Sequence, residues 1–233
     1  MTDLPGAGPA EGEVDLGASG PAAIDTVEPP RQARSRRSYH RLLEAAAELL
    51  ADRSFDDITV DEIAERAGYT KGAFYARFDS KAALLRHLVA RLTDGAMDAW
   101  DDFLEPAGWS GASPEEVAEA FVRRLWAVYM RSGHVMRAVD REIRLGGDPT
   151  VRATMARLNE RVAAGFVALM ETRRAELPRA VRSDLDGACR YWLMALAAVL
   201  RAACFDPDTG LGGATNGVAD RTIRLMVPYL TRE

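Results

Sequence analysis

The stretch from Thr59 to Lys81, TVDEIAERAGYTKGAFYARFDSK, constrains what this chain can fold into more than any other. It reads as two short helices joined by a tight turn. Thr59 and Glu62 have the spacing of a capping box, in which the hydroxyl takes the N3 amide and the carboxylate reaches back. Ile63, Ala64 and Ala67 then supply a short apolar stripe. In Ala67-Gly68-Tyr69 the glycine is the residue that tolerates positive φ just past a helix end. Thr70 follows as the cap of a second helix, expected from Lys71 to about Phe78.

Spacing sorts the side chains of that second helix. Phe74 and Phe78 are four apart and share a face, expected to be buried. Lys71 and Tyr75, also four apart, lie on an adjacent face about 100° away and point outward together. Gly72 between them lets a partner approach the backbone closely. Such a helix suits the major groove: Lys71 and the phenol hold phosphates while the first turn, Thr70 to Ala73, meets base edges. Thr59, at the exposed opening of the preceding helix, is grouped with this face. A helical hairpin with no nucleic-acid role leaves Lys71, Gly72 and Tyr75 unexplained.

From Arg37 to about Leu92 the chain resembles the N-terminal domain of the tetracycline-repressor-like (TetR/AcrR) transcription regulators. Their pattern runs T-x-x-x-I-A-x-x-A-G and then K-G-x-x-Y-x-x-F-x-S-K-x-x-L. Thr59, Ile63, Ala64, Ala67, Gly68, Lys71, Gly72, Tyr75, Phe78, Ser80, Lys81 and Leu84 match it in register. Phe74 departs from it, where a smaller aliphatic is usual, and so does Ala82, where an acidic residue commonly follows Ser-Lys. The resemblance implies a phosphate contact at Lys81, a four-helix homodimer interface, and a ligand that spreads the two DNA-reading heads.

A formal net charge of −5 over 233 residues is at first sight unfavourable for DNA. Its distribution removes the objection. Residues 1–30 carry six acids (Asp3, Glu11, Glu13, Asp15, Asp25, Glu28) and no Lys or Arg; taking those six from 35 acids leaves 29 against 30 basic residues. DNA binding therefore has to come from a local patch. Cys189 and Cys204 lack metal-ligand spacing and read as buried thiols of a reduced cytoplasmic protein. The start has neither the basic end nor the apolar core of a signal peptide. The most apolar run, Tyr191 to Leu200, is too short to span a bilayer.

Along the chain, residues 1–32 are rich in Gly, Pro, Ala and acids and read as a disordered acidic tail. Arg31, Arg34, Arg36 and Arg37 follow within seven residues, either as a solvated linker or as an arm on the DNA backbone or in the minor groove, with Arg36 and Arg37 nearest the helix-turn-helix. The tail's six carboxylates could fold back on this arm and compete with phosphate. Helix one is expected from about Ser38 to Asp52, with Leu42, Leu43, Ala46, Leu49 and Leu50 as its core stripe. Phe55, Ile58 and Val60 fill the corner after it. Ser80 caps a long helix running to about Leu104, so the DNA-binding domain is placed at 33–82 and a helical ligand-binding and dimerisation domain at 83–233.

In that second domain Ser113-Pro114-Glu115-Glu116 opens a helix to about Arg131. A separate segment follows, His134 to Leu145, stopping at Gly146-Gly147. Asp148-Pro149 opens another helix, to about Arg174. Leu177-Pro178 is a break, Ser183 or Asp184 caps a helix to about Phe205, and the last helix runs from Val218 to about Leu230 after a glycine-rich loop, 207–217. The last two helices are more apolar than one domain's core requires, so Leu193, Leu196, Leu200, Ile223, Leu225 and Met226 are expected against the same pair from a second copy. Two-fold symmetry then sets two recognition helices about 34–36 Å apart on a near-palindromic operator. Trp100, Phe121, Trp126, Tyr129, Met130, Met136, Phe166, Met170 and Trp192 are individually core residues, or collectively the lining of a cavity for a small apolar or amphipathic effector.

No metal-spaced pair joins His40, His87 and His134. There is no G-x-S-x-G, P-loop or H-E-x-x-H, and Asp140 and Glu142 diverge on a helix. An enzyme is not expected, nor a cofactor, metal or membrane partner. The expected class is all-α: an N-terminal three-helix helix-turn-helix domain and a C-terminal helical domain. The expected function is ligand-responsive transcriptional regulation, with repression as the family's default. The alternative is a ligand-independent DNA-binding scaffold or activator of the same fold.

Overall fold

A computed structural model describes residues 33–144, 148–205 and 217–232. The acidic tail, Arg31, the Gly146-Gly147 stop and most of the 207–217 loop lie outside the described residues. Among the described residues the regular structure is helical: α1 Ala33–Asp52, α2 Val60–Arg66, α3 Lys71–Tyr75, α4 Lys81–Leu104, α5 Pro114–Arg144, α6 Pro149–Glu171, α7 Arg179–Ser183, α8 Leu185–Phe205 and α9 Val218–Thr231.

The chain divides into two compact units, and the expected boundary near residue 82 moves. One unit holds α1–α3 and α4 as far as Ala96, and it also takes in 134–158, the end of α5 and the start of α6. Its core gathers Leu42, Leu43, Ile63, Phe74, Phe78, Leu84 and Val89 around Val135, Val139 and Val151. Val135, Ala138 and Val139 have i, i+3, i+4 spacing, which puts one apolar stripe of α5 into that core. Ion pairs fasten the same corner: Arg86 reaches Asp148 at 2.5 Å, and Arg141 reaches Asp56 at 2.6 Å and the Ser54 hydroxyl at 2.9 Å. The other unit holds 97–133 and the chain from Asn159 onward. Its core is aromatic, with Phe121, Phe166 and Trp192 fully buried, and the Trp192 indole donates to the Met226 carbonyl at 2.8 Å.

Several boundaries differ from expectation. Helix α1 starts five residues early, at Ala33. Alanine and arginine are strong helix formers and no breaker separates them from the helix, so Arg34, Arg36 and Arg37 lie within α1. Helix α3 ends at Tyr75, three residues early, with Ala76 as its C-cap. Helix α5 runs unbroken for 31 residues through Gly133, where a break was expected. One interior glycine costs only about 1 kcal/mol, and the buried stripe on the far side outweighs it. The short α7 had no counterpart in the expected elements, and Asp184, not Ser183, caps α8, accepting from the Gly187 amide at 3.1 Å. Pro228 lies inside α9, which continues to Thr231.

Candidate nucleic-acid interface

Local chemistry builds the α2–turn–α3 unit as the spacing requires. The Thr59 oxygen accepts from the Glu62 amide at 3.2 Å and the Glu62 carboxylate takes the Thr59 amide at 2.8 Å. Arg53 adds a guanidinium to the same carboxylate at 2.5 Å. The Arg53 hydrogen bond, followed by those from the Thr59 backbone and hydroxyl, pulls the Glu62 carboxyl down to about 2. Gly68 has φ +74°, the left-handed position that ends α2, and the Thr70 oxygen caps α3 by accepting from the Ala73 amide at 3.2 Å.

Under that frame α3 has an inner and an outer edge. Phe74 and Phe78 are buried, with ring centroids 5.5 Å apart, and Phe78 packs on Tyr39 and His87. Lys71 and Gly72 are exposed, and Tyr75 keeps 49% of its surface in solvent. A side chain at Gly72 would meet only the Thr70 hydroxyl, at 3.8 Å. Its φ is not positive either, so the protein itself does not require glycine there. Ala73 is half-buried beside it.

Arg36 and Arg37 are exposed on the second turn of α1. Arg77 bridges the two helices: its Nε donates to the Ser38 hydroxyl of α1 at 3.0 Å and its Nη1 to the Ala76 carbonyl after α3 at 2.9 Å. Arg77 was not singled out in the sequence, because a residue two positions after Tyr75 does not share its face on a helix. Lys71 is not idle, since its ammonium lies 2.7 Å from the Asp61 carboxylate of α2.

Lys81, expected at a phosphate, is held inside its own unit in the DNA-free chain. Its ammonium donates to the carbonyls of Phe55 at 2.7 Å, Ile58 at 2.8 Å and Asp56 at 3.3 Å, and sits 4.7 Å from the centre of the Phe55 ring. An ammonium has three donors, and all three are engaged in holding the corner between α1 and α2.

The nine residues expected as core or as a cavity lining divide between the two units. Trp100, Phe121, Phe166 and Trp192 fill each other's space: Trp100–Phe121 4.9 Å, Phe121–Phe166 4.7 Å, and Phe166 stacked on Trp192 at 5.3 Å. Met170 is buried; Trp126 and Tyr129 are half-buried, Tyr129 against Phe205; Met130 is exposed; and Met136 packs in the other unit's core. A cavity of about 540 Å³ lies elsewhere and is polar, lined by the loop from Pro106 to Ser113 with Thr172, Arg173 and Glu176. Arg173 is buried there and donates to the carbonyls of Ala112, Leu169 and Trp109.

The expected self-association residues divide as well. Leu196, Leu200, Ile223 and Met226 are buried in the unit's own core, Leu193 is half-buried and Leu225 is 73% exposed. The outward apolar face consists instead of Tyr191 and Met194 on α8 with Leu225 and Tyr229 on α9, the two tyrosine rings 6.0 Å apart. Helix α8 has the expected length, 21 residues, and by length and composition alone it could cross a membrane. Its Trp192, Leu196 and Leu200 are nevertheless buried in protein, and Arg190 on its flank binds Glu160 and Asp186. Burial pushes the Cys189 thiol up to about 12, while Cys204 is half-buried rather than enclosed.

Comparison with known proteins agrees with this geometry. Residues 42–88 match the family model for bacterial regulatory proteins of the tetR family. The HTH-type transcriptional repressor KstR2 of Mycolicibacterium smegmatis is 31% identical over 121 residues, 52% of this chain and 56% of the relative. The HTH-type transcriptional regulator YwcC of Bacillus subtilis is 28% identical over 101 residues, 42% of this chain and 45% of the relative. The chain thus spans about half the length of these curated relatives. A TetR-family regulator from Agrobacterium tumefaciens shares the fold with a TM-score of 0.62 at 18% identity, covering 83% of this chain and 97% of that one. With α2 and α3 capped as above, residues 42–88 are similar to the bacterial regulatory proteins of the tetR family, and the chain shares its all-helical fold with a solved TetR-family regulator over most of its length.

Proposed function

We propose that the protein is a DNA-binding transcriptional regulator, of the repressor type, that acts as a homodimer on a near-palindromic operator. One observation carries the reading: α3 holds Lys71, a sterically unneeded Gly72 and the Tyr75 phenol on an exposed edge, while Phe74 and Phe78 anchor the opposite edge. Arg36, Arg37 and Arg77 extend the cationic face, Thr59 and Thr70 set the helix ends, and Ala73 sits where base edges come closest. Lys81 supports this face from beneath. The apolar face of Tyr191, Met194, Leu225 and Tyr229 supports pairing with a second copy.

Duplexes enriched from a random pool by the wild-type protein supply the test. Lys71→Ala is expected to weaken binding to them and reduce the slope of log affinity against log salt by about 1. Tyr75→Phe is expected to weaken binding, and both variants should keep wild-type melting because they change surface groups. Wild-type titrations for both variants would reject this docking edge.

The packed aromatic core favours a second reading, a DNA-binding protein that needs no effector, over an open apolar pocket. A thermal-shift screen separates the two. A compound that both stabilises the protein and releases the duplex supports ligand response, and it has to bias two states unequally to do so. Failure of every amphipathic compound to do both supports the scaffold.

A further inference from the structure

We propose that Asp61 sets the affinity of this protein for DNA by occupying Lys71 in the DNA-free state, so that a phosphate has to displace a resident carboxylate. The inference rests on the DNA-binding reading above and concerns one position within it. Asp61 lies in the first turn of α2 and Lys71 opens α3, so the carboxylate and the ammonium meet across the helix-turn-helix at 2.7 Å. Both side chains are more than half exposed, at 63% and 54%, so the pair forms on the open face and not in the core. The Asp61 hydrogen bond, and then its charge, raise the Lys71 ammonium above its usual range, which agrees with an occupied cation.

A duplex seated on α3 brings phosphate to the same ammonium. The Asp61 carboxylate then loses its partner and becomes a like charge beside the DNA backbone, so it opposes binding in two ways. The neighbouring cation differs, because Arg77 is held by a hydroxyl and a carbonyl, neutral groups that a phosphate displaces without leaving an anion behind. Asp61 has no role in the Thr59–Glu62 box, so the capping bonds survive loss of its charge, which removes only the weaker interaction of a first-turn acid with the helix N-terminus.

The experiment compares Asp61→Asn with wild type by fluorescence anisotropy, using a labelled 30-base-pair duplex enriched from a random pool by the wild-type chain. Glu65→Gln, on the same helix and also exposed, controls for the loss of one negative charge. Asp61→Asn is expected to tighten binding by about two- to five-fold per protomer, the range of an exposed ion pair, and by more than Glu65→Gln. In a Lys71→Ala background the gain is expected to disappear. A gain no larger than that of Glu65→Gln, weaker binding, or a gain that survives Lys71→Ala would overturn the inference while leaving DNA binding standing. A wild-type chain that enriches no duplex would overturn both.

Discussion

Half-buried polar side chains near the helix-turn-helix give the sharpest consequences at the residue scale. The His87 ring meets the stacked Tyr39 and Phe78 rings edge-on, with Nδ1 3.1 Å from the Tyr39 hydroxyl. Burial, and then the Arg86 charge, push its pKa from 6.5 down to about 4. The unfolded chain therefore binds a proton at higher pH than the folded one. This contribution is complete above pH 6.5 and is lost as pH falls toward about 4. The shift alone sets a ceiling of about 3 kcal/mol at 1.36 kcal/mol per unit, reduced to about 1–2 kcal/mol because the ring keeps partial solvent contact. Urea titrations at pH 7.5 and 4.5 should show that loss for wild type and a flatter dependence for His87→Phe. Lys81 has a different consequence. Lys81→Met leaves three carbonyls of the α1–α2 corner without their donor, so it should lower unfolding free energy by about 1–3 kcal/mol, measured in urea. Loss of DNA affinity without loss of stability in that variant would restore the phosphate contact.

At the scale of elements, α5 is the departure with most consequence. Local rules favoured two segments with a break at Ser132-Gly133, whereas the helix continues and carries Val135, Ala138 and Val139 into the head. A continuous helix predicts the sign of one substitution. A Cβ at Gly133 meets only the Phe205 ring, at the ordinary distance of 3.8 Å, so Gly133→Ala should stabilise the protein by about 0.5–1 kcal/mol. A fall in melting temperature would mean that the chain needs glycine there to bend. The α2–turn–α3 unit was legible in the sequence because caps, a left-handed glycine and i, i+4 phenylalanines act within a few residues. The long ties Arg86–Asp148 and Arg141–Asp56 were not, since nothing local relates residues 62 or 85 positions apart.

For the whole molecule, the proposed self-association rests on which side of α8 and α9 faces out. Leu225 and Leu196 were grouped together in the sequence, yet one is 73% exposed and the other fully buried. They should behave oppositely. Leu225→Glu should shift the protein toward monomer in sedimentation and weaken duplex binding, with little change in monomer stability. Leu196→Ala should cost about 2–5 kcal/mol of stability through the cavity it leaves. If Leu225→Glu leaves the association state unchanged, the exposed face has another use.

The sequence by itself determined the capped helix pair, its buried and exposed edges, and the all-helical class. Hydrogen-bonding chemistry and helical period over three or four residues are enough to decide those. Only the tertiary structure decided that Lys81 holds a corner, that the aromatics pack on one another, and that Tyr191, Met194 and Tyr229 face outward. Each of those outcomes depends on which distant surface covers an apolar side chain or satisfies a donor. An apolar helix such as α8 has more than one side able to be covered, so its composition could not say which.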